Sequence, residues 1–322
     1  MAYLITGGTG LIGSRIVRDL IRDGELVVSY DYLPEVAFLN ELLTPEEQAR
    51  VKIVIGDVTD LPLLLRIVKE NKVDTVIHMA SLLADPSKAN PPLAIKINCE
   101  GTNNVFEVAR HFGLKKVVWA SSTTVFGPPD KHPQEYIPND APHYPYGVYG
   151  ACKAFNENIA ANYTDLYGLD ISGIRYTTVY GPGQRRGAFS YIMRELVENP
   201  VLGKPGRVPF GDDVIGWLYV DDAARATVLL SRASNTKTRN FTLSAELRSI
   251  REAADYVRQL LPKSDITLLP GRIGVSSKFD TKPIEEEVGY RPEWPMERGL
   301  KEVVSTVCRQ YGLPIPPHSC PK

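Results

Sequence analysis

The chain has 322 residues, 43% hydrophobic and 23% charged, and its 37 basic and 38 acidic residues nearly cancel. With no run of like charge, that balance argues against a nucleic-acid footprint or a membrane-surface patch. No apolar run approaches the roughly 18 residues that span a bilayer. The opening MAYLITGGTG has neither a basic n-region nor a small-residue cleavage site, so the cytoplasm is the expected compartment. Cys99, Cys152, Cys308 and Cys320 stand far apart with no CxxC, which suits neither zinc nor a disulfide framework, and no metal is expected. The length suits about two domains.

In chain order, short β-branched runs alternate with longer amphipathic ones. Strands are predicted at 2–7, 26–31, 51–57, 75–80, 116–122 and 171–181, and helices at 11–23, 61–70, 93–112 and 149–167. Near-continuous hydrophobic strands joined by helices predict a parallel sheet covered on both faces. After residue 182 the texture turns rich in Gly, Pro and Arg. A strand and helix return in WLYVDDAARATVLLSRA (217–233), followed by a short strand at 239–245. Helices at about 249–261 and 296–311 and the proline-rich tail LPIPPHSCPK complete a smaller unit woven from discontinuous segments.

The first strand runs into GGTGLIG, with Gly7, Gly10 and Gly13 at GxxGxxG spacing. The first glycine permits a sharp turn, the second close approach of a pyrophosphate, and the third close helix–sheet packing. Backbone N–H groups at the helix start would then face the phosphates. A glycine turn without a ligand is the bland alternative. The motif's place between strand and helix, 18 residues before Asp31, favours a dinucleotide. An acidic residue at the second strand's end accepts from both ribose hydroxyls and repels a 2′-phosphate, which selects NAD over NADP. Asp57, in GDVTD, is placed either to meet the adenine amino group or to serve as a helix N-terminal acid.

The stretch HYPYGVYGACK offers three tyrosines, and only Tyr149 has a lysine, Lys153, at i+4. Those positions share a helix face, so Lys153 is expected to reach the Tyr149 hydroxyl and the cofactor ribose. A nearby ammonium and a positive nicotinamide ring would lower a phenol pKa from about 10, giving a general base for an alcohol proton.

GGTGLIG, Asp31, GDVTD, INCEGTNNVFEVAR, ASSTTVFG and YGACK occur in the order found in extended short-chain dehydrogenases/reductases. Over residues 1–182, and on into WLYVDDAARA and GYRPEWPMERGLKEVV, the chain resembles their NAD-dependent epimerase/dehydratase family. The resemblance implies an α/β fold: a Rossmann-type doubly wound parallel sheet with a smaller, discontinuous C-terminal substrate domain. The NAD-binding part would be 1–182 with 217–245, and the substrate part 183–216 with 246–322. It also implies a catalytic hydroxyl at Ser122 beside Tyr149 and Lys153. Ser121 and Thr123 are rivals should the strand slip by one residue. Cofactor contacts implied are Gly7, Gly10, Leu11, Ile12, Gly13, Asp31, Asp57, Val58, Met79, Ala80, Ser81, Asn98, Tyr149, Lys153 and Tyr176. Asn98 could equally be a plain helix N-cap.

The reaction is less legible. Sugar 4,6-dehydratases resemble one another in an Asp-Glu pair after the catalytic hydroxyl; Thr123 and Thr124 stand there and cannot do that acid–base work. UDP-sugar epimerases show an Asn where this chain has Thr178, and an Arg where it has Ile215. Arg185 and Arg186 could serve an anionic substrate, bidentate to a carboxylate or phosphate, or belong to a solvated loop. ASLLAD and VFGP are similar to short-chain L-threonine dehydrogenase, which would make Ser81 a substrate contact. The reading is NAD-dependent hydride transfer at a secondary alcohol, epimerase-type on a sugar or sugar acid. The alternative is a dehydrogenase of a small hydroxy acid, polyol or amino alcohol. A non-catalytic dinucleotide sensor would need the glycine loop but not Ser122, Tyr149 and Lys153.

The other conspicuous residues have structural readings. Trp119 and Trp217 are expected in the core, His78 as a structural histidine, and Asp221 and Asp222 as caps of the AARATVLL helix. Apolar stripes on 93–112 and 149–167 suggest a homodimer by the resemblance. The expected partner is otherwise a small molecule, with no nucleic acid and no membrane.

Overall fold

A computed structural model of the chain describes residues 1–185, 187–273 and 278–316; Arg186 and Cys320 lie outside them. The strands are β1 (Ala2–Thr6), β2 (Leu26–Asp31), β3 (Val51–Ile55), β4 (Thr75–His78), β5 (Lys116–Ser122), β6 (Ile171–Tyr176), β7 (Val179–Tyr180), β8 (Gly206–Val208), β9 (Val214–Tyr219), β10 (Asn240–Leu243), β11 (Glu246–Ser249) and β12 (Ile266–Leu268). Seven form one sheet in the order β10-β6-β5-β4-β1-β2-β3, with every neighbouring pair parallel. The expected doubly wound α/β architecture is therefore present. Connections leave in opposite directions from β1 and β4, and the crevice beyond their carboxyl ends is where such sheets take ligands.

The pattern of the strands follows from burial on both faces. All five residues of β1 are buried. Ile16, Val17 and Leu20 of the Leu11–Arg22 helix, with Ala223 and Leu230 of the Val220–Arg232 helix, cover one face, against Tyr3, Ile5 and Ile77. Leu64, Ile67, Val105, Phe106 and Ala160 cover the other, against Leu4, Val28, Val76 and Trp119. Each such aliphatic or phenyl group stabilises the fold by about 1.5–3 kcal/mol. Trp119 and Trp217 are fully buried, as expected of core residues.

The segment 171–181 is not one strand. β6 belongs to the main sheet, but β7 pairs with β9, and β9 with β11, in a separate three-stranded sheet. The β9 strand of the WLYVDD motif thus lies off the main sheet, while the helix after it packs on the first helix. The Gly/Pro/Arg-rich stretch also holds unforeseen helix, at Ala188–Met193, Arg194–Glu198 and Asn199–Val201. Trp217, Tyr219, Leu196, Val257 and Leu300 form the smaller unit's core. Its Ile250–Leu260 helix opens on a Ser249–Glu252 capping box.

The aspartate pair does not cap its helix. Asp222 is fully buried and accepts from the backbone N–H groups of Glu293 and Trp294 and from Arg225, while Asp221 takes Arg18. Tertiary partners, rather than the helix's own first turn, use both carboxylates.

Candidate active site

The glycine loop has little room to spare. Gly7 has φ +70, a conformation that disfavours any side chain, and a Cβ there would stand 2.8 Å from the Ala80 nitrogen. At Gly13 a Cβ would meet the Gly7 oxygen at 2.1 Å, so the helix can lie this close only without one. Gly10 meets only that oxygen, at 3.2 Å, and begins the Leu11–Arg22 helix with no side-chain cap and no acidic residue in its first turn. The helix N–H groups remain for an anion. Leu11 and Ile12 pack partly into the core beside it. Asp31 ends β2, where Oδ2 accepts from Thr9 N at 2.9 Å and Ser29 Oγ at 3.1 Å. Burial raises its pKa against those bonds, a tension that donors such as ribose hydroxyls would relieve. The chain's own groups thus fit a pyrophosphate and an adjacent ribose.

The other expected cofactor residues are mixed. Asp57 Oδ1 accepts from Thr59 N and Oγ1, both at 2.9 Å, and the cap of the Leu61–Asn71 helix is Asp60, not Asp57. Val58 is buried against Gly101. Ala80 N donates to Thr6 Oγ1 at 3.3 Å, which ties the end of β4 to the glycine loop. Tyr176 turns its ring into the core, where its hydroxyl pairs with Thr227 Oγ1 at 2.6 Å and reaches Met79 Sδ at 3.9 Å. Its carbonyl accepts from Thr123 Oγ1.

Asn98 is not an N-cap. The expected 93–112 helix is broken by a π-turn at Ile95–Glu100, and Asn98 lies inside it. Its side chain accepts from Leu82 N at 2.7 Å and Ser81 Oγ at 3.1 Å and donates to Leu82 O at 2.9 Å. Its carbonyl accepts from Asn156 Nδ2 and Thr102 Oγ1. The wide turn presents this amide to the loop after β4, a common use of such turns at functional sites.

Tyr149 lies in the first turn of the Gly147–Tyr167 helix, entered through Gly147 at φ +68. Ser122, at the end of β5, and Ser81 both stand close enough to its phenol to act on it, each favouring the phenolate. Of the rival hydroxyls, Ser121 is taken by Glu157 at 2.6 Å and Thr123 by the Tyr176 carbonyl, so the register selects Ser122. Lys153 does not sit at the phenol oxygen. Its Nζ donates to Ala120 O at 2.6 Å and lies 5.4 Å from the centroid of the Tyr149 ring. Burial pulls the ammonium down to about 8 and pushes the phenol up to about 12, with Ser122 and Ser81 opposing. Among the chain's own groups, burial thus outweighs Ser122 and Ser81 at the phenol. His78 is structural, bonded to Thr6 and Thr102 hydroxyls at 2.6 and 3.0 Å.

The substrate candidates are dispersed. Thr178 is partly buried, its carbonyl accepting from Leu218 N. Arg185 is exposed and has Tyr311 as an electrostatic neighbour. Sequence reasoning missed Glu157, Arg175 and His143, which form a buried cluster behind Ser121. The signal was there in Glu157, an acid four residues beyond Lys153 on the same helix face.

A glycine loop at an uncapped helix start, beside a Ser-Tyr-Lys constellation, defines a dinucleotide-dependent hydride-transfer protein. The NAD dependent epimerase/dehydratase family model matches residues 3–243, and the chain belongs to that family. It is an NAD-dependent enzyme of the extended short-chain dehydrogenase/reductase type. A UDP-glucuronate 4-epimerase of Thermodesulfobacterium geofontis is 29% identical, over 94% of this chain and 95% of that one. Among solved structures, UDP-glucose 4-epimerase of Thermus thermophilus in complex with NAD aligns at TM-score 0.82 and 26% identity, covering 95% of this chain and 99% of that one. L-threonine dehydrogenase of Phytophthora infestans aligns at 0.82 and 25%, covering 94% and 98%.

Proposed function

We propose that the protein is an epimerase of a sugar or sugar-acid derivative, with a UDP-linked hexuronate or hexose as the first substrate to try. The observation that carries this reading is the meeting of Ser122, Tyr149 and Lys153 beside the glycine loop, in a chain that aligns end to end with a UDP-glucuronate 4-epimerase. With its phenolate favoured by the positive nicotinamide ring, Tyr149 would take the substrate hydroxyl's proton and later return it, Ser122 would orient that oxygen, and protonated Lys153 would hold the cofactor ribose. NAD, when bound, would supply the hydride acceptor for oxidation of the carbinol carbon and the hydride donor for its reduction from the opposite face. Gly7, Gly10 and Gly13 admit its pyrophosphate, Asp31 takes its ribose hydroxyls, and Asp57, Val58, Met79, Ala80 and Ser81 line the adjoining wall. Ser81 also holds Tyr149, while Asn98 fixes the Leu82 backbone. Thr123, Thr178 and Arg185 are the substrate contacts to test.

In this reading, residues 1–182 with 217–245 bind NAD and the remainder binds substrate. The protein works in the cytoplasm; among the described residues no helix is long and apolar enough to cross a membrane. Leu93, Ile95 and Phe155 are exposed on neighbouring helices, which supports a homodimer through that face.

The test is to incubate the protein with NAD and UDP-glucuronate or UDP-glucose and to look for the 4-epimer by NMR. Conversion without net NADH supports the proposal. The second reading, a dehydrogenase of a small alcohol, is favoured by Ile215 and Thr178 standing where nucleotide-sugar epimerases carry Arg and Asn. Stoichiometric NADH from L-threonine or another small alcohol, with no sugar epimer, would replace the first reading by the second.

A further inference from the structure

Glu157 follows Lys153 by four residues on the Gly147–Tyr167 helix, so both side chains leave on one face. Its side chain is 3% exposed. Oε1 accepts from Ser121 Oγ at 2.6 Å and Arg175 Nε at 2.8 Å, and Oε2 accepts from Arg175 Nη2 at 2.6 Å. His143 Nε2 lies 3.4 Å from Oε2. A buried ion pair of this kind stabilises a fold little more than a well-packed apolar pair would, so its partners are more informative than its energy.

Each partner belongs to an element that delivers a catalytic group. Ser121 immediately precedes Ser122 in β5, and alternation along the strand means that fixing one side chain aims the next. Arg175 lies in β6, which pairs with β5 so that Ser121 stands opposite it. Arg175 Nη1 also donates to Asn139 O at 2.5 Å, and Nη2 meets His143, in the segment leading into the helix of Tyr149. The one carboxylate therefore ties the end of β5, β6, the pre-helix segment and the catalytic helix.

We propose that Glu157 is a positioning residue of this active site, holding the end of β5 so that Ser122 faces Tyr149 and supplying the negative charge that favours protonated Lys153. The proposal rests on reading Ser122, Tyr149 and Lys153 as the catalytic set. Lys153 has few other charges about it: burial pulls its ammonium down, the Cys152 and Cys99 thiols and Glu157 act the other way, and His78, itself neutral, packs nearby. Among the described residues, the charged or titratable neighbours of Glu157 are Arg175, His143 and Lys153.

The experiment compares wild type, Glu157→Gln and Ser121→Ala, each saturated with NAD. The Lys153 side-chain resonance is titrated in lysine-labelled protein, assigned by its loss in Lys153→Met, and turnover is followed with UDP-glucuronate. In Glu157→Gln the Lys153 midpoint should fall, and the alkaline limb of the turnover profile with it. In Ser121→Ala that midpoint should stay, while turnover falls roughly tenfold through misdirection of Ser122. A folded Glu157→Gln with an unmoved midpoint, or a Ser121→Ala with wild-type turnover, would overturn the corresponding half. Should Glu157→Gln not fold, Glu157→Gln with Arg175→Gln removes the stranded cation and carries the same titration. Wild type that turns over no sugar nucleotide would refute the proposed function, yet the Lys153 titration would still decide whether Glu157 acts on it.

Discussion

Side chains at and beside the site have pKa values displaced by burial from those they would have in water. Lys153 is pulled down to about 8 but remains protonated at neutral pH, where its ammonium can serve a ribose. Tyr149 is the group that must exchange a proton, so Tyr149→Phe should lose nearly all turnover, by about a hundredfold or more, with NAD affinity little changed. Equilibrium NAD titration alongside the epimer assay checks both. His78 offers a stability prediction. Burial pushes it down from its ordinary 6.5 to about 3, with the charge of Lys153 adding to that. Between those values the unfolded chain binds a proton that the folded chain refuses. The contribution is therefore whole above pH 6.5 and is lost as pH falls towards 3, at up to roughly 1.4 kcal/mol per pH unit. Denaturant curves across this range should show that acid loss in wild type and less of it in His78→Gln.

Among the elements, the start of the Leu11–Arg22 helix separates two roles for glycine. A Cβ at Gly13 meets the Gly7 carbonyl at 2.1 Å and must push helix and loop apart. Gly13→Ala should cost about 1–3 kcal/mol of stability and weaken NAD as well. At Gly10 the nearest atom is 3.2 Å away, so Gly10→Ala should fold with little loss yet bind NAD at least roughly tenfold more weakly, by blocking the pyrophosphate. Equal stability losses in the two variants would contradict this division, and thermal melts with and without NAD read it directly. The π-turn at Ile95–Glu100 is a different kind of element-level feature. Its sequence, IKINCE, carries an ordinary helical pattern, and only the partners of Asn98 require the wider turn.

For the whole molecule, Asp222 joins the two parts. Fully buried, it receives two backbone N–H groups from Glu293 and Trp294 and the Arg225 guanidinium. Asp222→Ala strands those donors and should destabilise the protein by about 3–5 kcal/mol. Arg225→Ala, at a partly exposed position, should cost clearly less, and chemical denaturation measures both. Much of the wider architecture was legible: all seven main-sheet strands, β10 among them as the short strand expected at 239–245, and the helices around them follow from hydrophobic runs and periodicity. The boundaries after residue 176 were not, because β7 and β9 read like strands of the main sheet and nothing local says which sheet a strand will join.

Local spacing in the sequence was enough for the glycine loop, the acid closing the second strand, and the placing of Tyr149 and Lys153 on one helix face. Each depends on residues within one turn or one strand–helix unit, where backbone geometry sets what neighbours can do. The tertiary structure decided the rest. It set Ser122 near Tyr149 while engaging Ser121 and Thr123 elsewhere, made Asn98 a brace rather than a cap where both readings were open, gave the Asp221–Asp222 pair distant partners, and gathered Ser121, Arg175 and His143 around Glu157. It also set the burial that raises the Tyr149 phenol among the chain's own groups. Those outcomes turn on strand register, desolvation and contacts between residues far apart in the chain, and such terms exist only once the chain has packed.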